Sequence, residues 1–196
     1  AEVSTVCVVG SCNTDQITVV PEFMKPGETI YGKEYHVGCG GKGANQAVMA
    51  GKLGASVAFV GKVGTDSMGD AFCSAFKDVG VDAKHVIRTS ETTTGVATIL
   101  VDSHGQNAIA IVPGANMLVT EAEIETARPV ITGCKVLLTQ NEISAPATLA
   151  AMRLAKAAGG PLVIWNAAPA PTKVDTDFLK ACHILCVNET EAESMA

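Results

Sequence analysis

Short runs of apolar residues alternate with amphipathic segments along much of the chain, and this alternation predicts strands joined by helices. The apolar runs at 5–9, 136–138, 162–165 and 184–187 have the length and composition of buried strands. Residues 68–79 instead carry apolar side chains at a helical period. Strands that alternate with helices predict a parallel sheet covered by helices on both faces.

Helix-start signals support this interpretation. The helix predicted over 146–158 has proline at its beginning and Gly159-Gly160 directly after it. Thr120 with Glu123, and Thr190 with Glu193, have the spacing of capping boxes, in which each side chain binds the backbone of the other residue. The second pair predicts a helix that runs to the end of the chain.

Two regions interrupt the alternation. Residues 29–37 read as one or two short strands, and residues 96–101 and 108–112 flank a polar turn and predict a β-hairpin. Strands outside the main pattern are expected to form a separate small sheet, a flap or lid over the large one.

The stretch GCGGKGANQA at 38–47 places four glycines around Lys42 before a predicted helix. It is not a phosphate-binding P-loop, because glycine rather than serine or threonine follows the lysine. A dinucleotide fold is disfavoured as well, because the next strand-like run, 56–60, is followed by no acidic residue until Asp66. What remains is backbone that can approach a ligand at a helix N-terminus, together with a cation and the Asn45 amide. A small polar ligand fits this description as well as a phosphate.

Polar side chains also follow four of the predicted strands. In open α/β sheets, ligands bind beyond the carboxyl ends of the strands. The mixture of carboxylates, amides and one lysine suits a neutral ligand with several hydroxyl groups better than an anion, and a sugar is the simplest such ligand. The residues at these four strand ends are Asn13 and Asp15, Asn141 and Glu142, Asn166, and Asn188 with Glu191.

Composition excludes several classes of function. The 47% hydrophobic and 17% charged residues are typical of a globular protein, and a net charge of -6 without a basic run argues against nucleic-acid binding. No apolar run is long enough to span a membrane and no leader pattern precedes the first strand, so a cytoplasmic location is expected. The seven cysteines include no C-x-x-C pair, and Cys182, His183 and Cys186 are too few ligands to predict a metal site.

Six segments match those of a known family, in the same order along nearly the whole chain: GSCNTD at 10–15, PGET at 26–29, GGKGANQA at 40–47, GAN at 114–116, NAAPA at 166–170 and NETE at 188–191. Together they resemble the ribokinase family of ATP-dependent sugar kinases. The resemblance implies a three-layer, Rossmann-like α/β domain with a small β lid formed by 16–42 and 94–113. Residues 1–196 would then be the N-terminal portion of this domain, with the C-terminal part absent.

The resemblance also assigns roles to individual residues. Ala97 and Ile111 would form the apolar side of the sugar pocket, Asn188 would lie near the ATP phosphates, and Glu191 would lie near Mg²⁺. The expected reaction is transfer of the γ-phosphoryl group of ATP to the 5-hydroxyl of D-ribose, in a homodimer formed through the lid, with K⁺ bound by the full-length protein. The ribose hydroxyls would be held by Asn13, Asp15, Gly41, Lys42, Asn45 and Glu142.

The departure from the family lies at the C-terminus. Members continue for roughly another hundred residues, a length that suits a single α/β domain. In the family, that part carries the G-A-G-D segment with the catalytic base, so no catalytic residue is expected in this chain. The segment at Asp175 lacks the required glycines, and Asp66 lies too early in the chain. Two alternatives remain open: a sugar-binding or regulatory truncated product without kinase activity, and a sister kinase for another sugar or a nucleoside.

Overall fold

The structure is a computed structural model that describes residues 4–173 and 175–196. Its strands are β1 (Val6–Val9), β2 (Asn13–Val19), β3 (Glu34–Gly40), β4 (Val57–Gly64), β5 (Val81–Thr89), β6 (Gly95–Val101), β7 (Asn107–Val112), β8 (Val136–Thr139), β9 (Leu162–Asn166) and β10 (Ile184–Cys186). Its helices are α1 (Lys42–Lys52), α2 (Ser67–Asp78), α3 (Glu121–Thr126), α4 (Arg128–Gly133), α5 (Ala145–Ala158), α6 (Thr176–Ala181) and α7 (Glu189–Met195), with a short 3₁₀ helix at Gly114–Leu118.

The large sheet has the strand order β10-β9-β8-β1-β4-β5, and every neighbouring pair in it is parallel. Phe59, Phe72 and Phe76 belong to the core between this sheet and helices α1 and α2. Leu137 and Met152 belong to the core on the opposite face, beneath α3 to α6. Helices therefore lie on both faces of the sheet, and the predicted three-layer α/β architecture is confirmed. The expectation of a buried strand at 184–187 is wrong, because β10 is an edge strand and all three of its residues are exposed.

The apolar pattern does not predict β5, which forms one edge of the large sheet. Its sequence, VDAKHVIRT, intersperses polar residues among the apolar ones, and most of its residues are only partly buried. An edge strand needs to bury only part of its surface and can carry charged side chains on the rest, so no continuous apolar run marks it.

A second, four-stranded sheet has the order β3-β2-β6-β7, with β2 and β6 parallel and the outer pairs antiparallel. The hairpin β6–β7 was predicted, but β2 was not, so Asn13 and Asp15 begin a strand instead of lying in a loop. The strand expected from residue 29 begins only at Glu34, because β2 ends opposite it at Val19. The proposed bounds of the domain and lid stay predictions.

The small sheet lies at the carboxyl edge of the large one, because its strands leave from and return to that edge. Residues 10–12 connect β1 to β2, and Gly41 connects β3 to α1. Gly41 has a φ of 88°, which a side chain would strain, so glycine is required for this reversal from strand into helix.

The capping boxes were partly misassigned. Thr120 and Glu123 cap α3 as predicted. The box that begins α7 is formed by Asn188 and Glu191 instead of the Thr190–Glu193 pair, because α7 begins at Glu189. In the described ranges, no helix is long and apolar enough to cross a membrane.

Candidate functional site

A cavity of about 160 Å³ lies between the small sheet and the N-terminus of α1. All eight residues expected to contact a sugar line it: Asn13, Asp15, Gly41, Lys42, Asn45, Ala97, Ile111 and Glu142. Larger cavities of about 500 and 380 Å³ lie beside α5, but none of those eight residues lines them. Another cavity, of about 260 Å³, lies between α1 and α2, and of the eight residues Asn45 alone lines it. The small cavity is therefore the candidate site, and the roles of its residues stay predictions.

Glu142 forms the polar floor of the cavity and is largely buried. Its Oε2 accepts hydrogen bonds from the Ser11 hydroxyl at 2.6 Å and from the Lys42 backbone N–H at 2.8 Å. Its Oε1 accepts from the Lys42 ammonium at 3.1 Å. The first N–H of α1 is thus satisfied by a carboxylate of the protein itself, at the helix end where negative charge is favoured.

Ser11 was not predicted to be a site residue, yet it forms hydrogen bonds with both Glu142 and the first turn of α1. Besides donating to Glu142, its hydroxyl accepts the Gly43 N–H at 3.3 Å, and its carbonyl accepts the Ala44 N–H at 2.9 Å. The serine is fully buried. Its position directly after the first predicted strand was the available signal, because residues there reach the carboxyl edge of the sheet.

Asp15 faces the same cavity from the small sheet. Partial burial raises the pKa of its carboxyl, the negative charge of Glu142 raises the pKa further, and Lys42 partly offsets both effects. Two carboxylates and an ammonium group therefore share this site. Carboxylates accept hydrogen bonds from hydroxyl groups and the ammonium donates them, a combination that matches a ligand with several hydroxyls.

The opposite wall is apolar and comes from the hairpin. Asp15 pairs with Ala97, and Ala97 pairs with Ile111, so these three side chains lie in a row on one face of the small sheet. Ile99 and Ile109 form the next pair and also line the cavity. They were not predicted, although their spacing of two residues from Ala97 and Ile111 places them on the same face.

Amide side chains connect the cavity region to the neighbouring strands. The Nε2 of Gln140 donates to the Oε1 of Gln46 at 2.7 Å, and the Nε2 of Gln46 contacts the Oδ1 of Asn166 at 3.4 Å. The Nδ2 of Asn166 in turn donates to the Cys186 carbonyl at 3.2 Å. Asn141 does not line the cavity, since its amide binds Trp165 and the Pro169 carbonyl.

Asn188 and Glu191 lie outside the cavity wall. Their side chains cap α7, with Asn188 Oδ1 accepting the Glu191 N–H at 2.7 Å and Glu191 Oε2 accepting the Asn188 N–H at 2.9 Å. Both follow β10, at the same edge of the sheet as the cavity. Within 4–173 and 175–196, no three His, Cys, Asp or Glu side chains cluster as a metal site.

Comparison with known proteins gives a consistent result. Residues 3–196 match the model of the pfkB family of carbohydrate kinases. Mouse ribokinase is 42% identical over 192 residues, which cover 98% of this chain and 59% of the mouse protein. Ribokinase from Haemophilus influenzae is 40% identical over 189 residues, covering 96% of this chain and 61% of that protein.

A solved structure of Arabidopsis thaliana ribokinase complexed with ribose and ATP superposes with a TM-score of 0.87 at 32% identity. The match covers 99% of this chain and 63% of the Arabidopsis chain. The chain thus spans about three fifths of the length of the relatives it matches.

Proposed function

Because the chain belongs to the pfkB family of carbohydrate kinases, we propose that the whole protein transfers the γ-phosphoryl group of ATP to the 5-hydroxyl of D-ribose. This chain would supply the sugar-binding residues and the lid. The relatives described as ribokinases, and the Arabidopsis ribokinase complexed with ribose and ATP, support the choice of sugar and nucleotide.

One observation carries the proposal: a single cavity has charged and amide groups on one side and apolar side chains on the other. Ribose has hydroxyl groups that need donors and acceptors, and C–H groups that favour apolar contact. Asp15 would accept hydrogen bonds from two hydroxyls, and Lys42 would donate to a hydroxyl oxygen. Ala97 and Ile111 would cover the C–H face and exclude water.

Holding the sugar in one orientation is the chemical contribution expected of these residues. Phosphoryl transfer depends mainly on positioning and electrostatic stabilisation. Glu142 is already bonded to Ser11 and Lys42, so the floor of the cavity needs little rearrangement before a ligand enters. A fixed sugar would direct its 5-hydroxyl toward the nucleotide.

Asn188 and Glu191 fit a place near the nucleotide phosphates and Mg²⁺. Only one carboxylate oxygen of Glu191 is used in the cap, and the Asn188 Nδ2 has no partner in the described part of the chain. Mg²⁺ is commonly held by one or two carboxylates together with water and substrate phosphates, so a lone glutamate is compatible with it. When bound, the metal would neutralise charge on the phosphate oxygens.

The test combines calorimetric titration of the purified 196-residue chain with D-ribose and an assay of ADP release with ribose, ATP, Mg²⁺ and K⁺. We expect ribose to bind, D-xylose to bind more weakly, and no ribose-dependent ADP release, since the resemblance to the family places the catalytic base outside these 196 residues. Ribose-dependent turnover would contradict the assignment of the base to a segment outside this chain. If the chain did not bind ribose but bound another sugar or a nucleoside tightly, the result would favour a sister kinase.

We also propose a homodimer through the small sheet. The face of this sheet that points away from the cavity is apolar and exposed, with Tyr35, Val37 and Val112 at 61%, 58% and 62% exposure. A second copy packing there would remove this surface from water. Val37→Lys is expected to shift the mass in multi-angle light scattering toward a monomer, whereas Leu53→Lys, at the exposed residue directly after α1, should leave it unchanged.

A further inference from the structure

Asn116 is a fully buried asparagine in the 3₁₀ helix, and its side chain joins this helix to residues 12 and 13. Its Oδ1 accepts the backbone N–H of Cys12 at 2.9 Å. Its Nδ2 lies 3.0 Å from the Cys12 carbonyl, 2.9 Å from the Pro113 carbonyl and 2.8 Å from the Oδ1 of Asn13. The residue does not line the cavity, but it contacts a residue that does.

These contacts determine which terminal atom of each side-chain amide is the oxygen and which is the nitrogen. A backbone N–H can only donate, so the atom of Asn116 that faces Cys12 N must be its oxygen. The other end of Asn116 is then the NH₂ group, which can only donate. The atom of Asn13 that receives this hydrogen bond must therefore be its oxygen.

The NH₂ group of Asn13 is consequently directed away from Asn116. In the described ranges this nitrogen has no hydrogen-bond partner within the protein, while Asn13 itself lines the cavity. The approach of the two amides also depends on Gly95, because a Cβ at that position would collide with both the Asn13 Oδ1 and the Asn116 Nδ2. The arrangement therefore involves three segments that are distant in sequence.

We propose that Asn116 is a positioning residue that fixes the amide of Asn13 with its NH₂ group toward the ligand, so that this corner of the cavity only donates hydrogen bonds. The proposal rests on the proposed sugar-binding function. The matching ligand group is a hydroxyl oxygen that accepts from Asn13, while the neighbouring Asp15 accepts the hydrogen of a hydroxyl. An ammonium group, as in an amino sugar, cannot accept a hydrogen bond and is disfavoured at this corner.

The orientation can be measured without any ligand. In the ¹⁵N-labelled chain, we expect the side-chain NH₂ of Asn13 to exchange with solvent at least about tenfold faster than that of Asn116. Both residues are buried, but the Asn116 NH₂ is hydrogen-bonded within the protein, whereas the Asn13 NH₂ borders the cavity and has no partner in the described ranges. Asn116→Asp keeps an acceptor for the Cys12 N–H but removes the donor to Asn13. The Asn13 amide should then rotate so that its NH₂ donates to the introduced carboxylate, and exchange of this NH₂ with solvent should slow. Equal protection of the two amides in the unmodified chain would overturn the proposal.

The effect on binding is tested by a double-mutant cycle measured by calorimetry with D-ribose. Asn116→Ala should weaken binding about tenfold in the unmodified chain, as expected for loss of one well-oriented hydrogen bond. In the Asn13→Ala background, Asn116→Ala should weaken ribose binding less than about twofold, because the Asn13 amide that Asn116 positions is absent. Asn141→Ala, which removes another structural amide, should leave the affinity unchanged.

The outcomes separate this proposal from the proposed function. Additive losses in the cycle, with ribose still bound, would contradict the positioning role and leave the sugar assignment intact. Absence of ribose binding by the unmodified chain, combined with fast Asn13 exchange, would contradict the sugar and support the orientation. Slow Asn13 exchange would contradict the orientation whichever ligand binds.

Discussion

The two walls of the cavity are built in opposite ways. On the large-sheet side, Ser11, Lys42 and Glu142 are joined by hydrogen bonds and sit against the buried start of α1. On the hairpin side, Ile109 and Ile111 are half exposed and belong to an edge strand. The first wall is fixed before a ligand arrives, which lowers the cost of ordering polar groups on binding. The second contributes apolar surface with little role in holding the fold.

This difference predicts that substitutions on the two walls have different consequences. Changes on the polar side should reduce both binding and stability, since the same hydrogen bonds serve both. Changes on the hairpin should reduce binding while leaving stability nearly unchanged. Asp15 is informative because it belongs to the small sheet but faces the polar side.

The largest effect is expected for Asp15→Ala. Loss of two hydrogen bonds to a charged acceptor, each worth about 1.5 kcal/mol, should weaken D-ribose binding by about 100-fold or more in calorimetry. The matched control is Asp82→Ala, since within the described residues the Asp82 side chain bonds only to Lys84 in β5, away from the cavity. Unchanged affinity of the Asp15 variant would remove this residue from the site.

Glu142→Gln should have the next largest effect. The amide oxygen can keep the bonds from Ser11 and the Lys42 backbone, but its NH₂ group then faces the Lys42 ammonium. We expect a loss of about 1–3 kcal/mol in the free energy of unfolding, measured by denaturant titration, and about tenfold weaker ribose binding. Glu125→Gln, at an exposed ion pair with Arg128, is the control and should match the unmodified chain in both measurements. A Glu142 variant as stable as that control would show that the polar wall is not coupled to the fold.

Ile111→Ala tests the hairpin wall. We expect ribose affinity to fall roughly fourfold, equivalent to about 0.8 kcal/mol of apolar burial, without a measurable change in unfolding free energy. Ile131→Ala, in the core beneath α5, should show the reverse pattern: a loss of about 2–5 kcal/mol in stability and unchanged affinity of the folded fraction. If both variants lost stability equally, the contrast between the two walls would be wrong.

The smallest effect is a shift in pH dependence. If Asp15 accepts hydrogen bonds from ribose as proposed, its carboxylate must be ionised, and its pKa is raised by burial and by Glu142. The affinity for ribose should therefore be highest above this raised pKa and should fall as the pH falls through it. In Glu142→Gln one cause of the raised pKa is removed, so the loss of affinity should move to lower pH. Calorimetry across the acid range measures this, and a shift to higher pH would contradict the electrostatic account.

Much of the large sheet could be predicted from the sequence because buried parallel strands are continuous apolar runs and the helices between them have strong end signals. β2 could not, because NTDQITV mixes polar and apolar residues and is stabilised by pairing with β3 and β6. The eight candidate sugar-binding residues were named from the resemblance to a known family, and five of them lie in its matching motifs, at 10–15 and 40–47. Ser11, Asn116 and Gln140 were missed as contributors, because their importance depends on partners that are 131, 104 and 94 residues away, respectively.

The sequence by itself determined the α/β class, the order of most elements, and the residue types that meet at the strand ends. Local hydrophobic period and capping chemistry act over a few residues and are readable without contacts. Only the tertiary structure decided that Glu142 is satisfied by Ser11 and Lys42, that Ile99 and Ile109 extend the apolar wall, and which way the Asn13 amide points. Those properties depend on hydrogen bonds and strand register between distant segments, which no local pattern specifies.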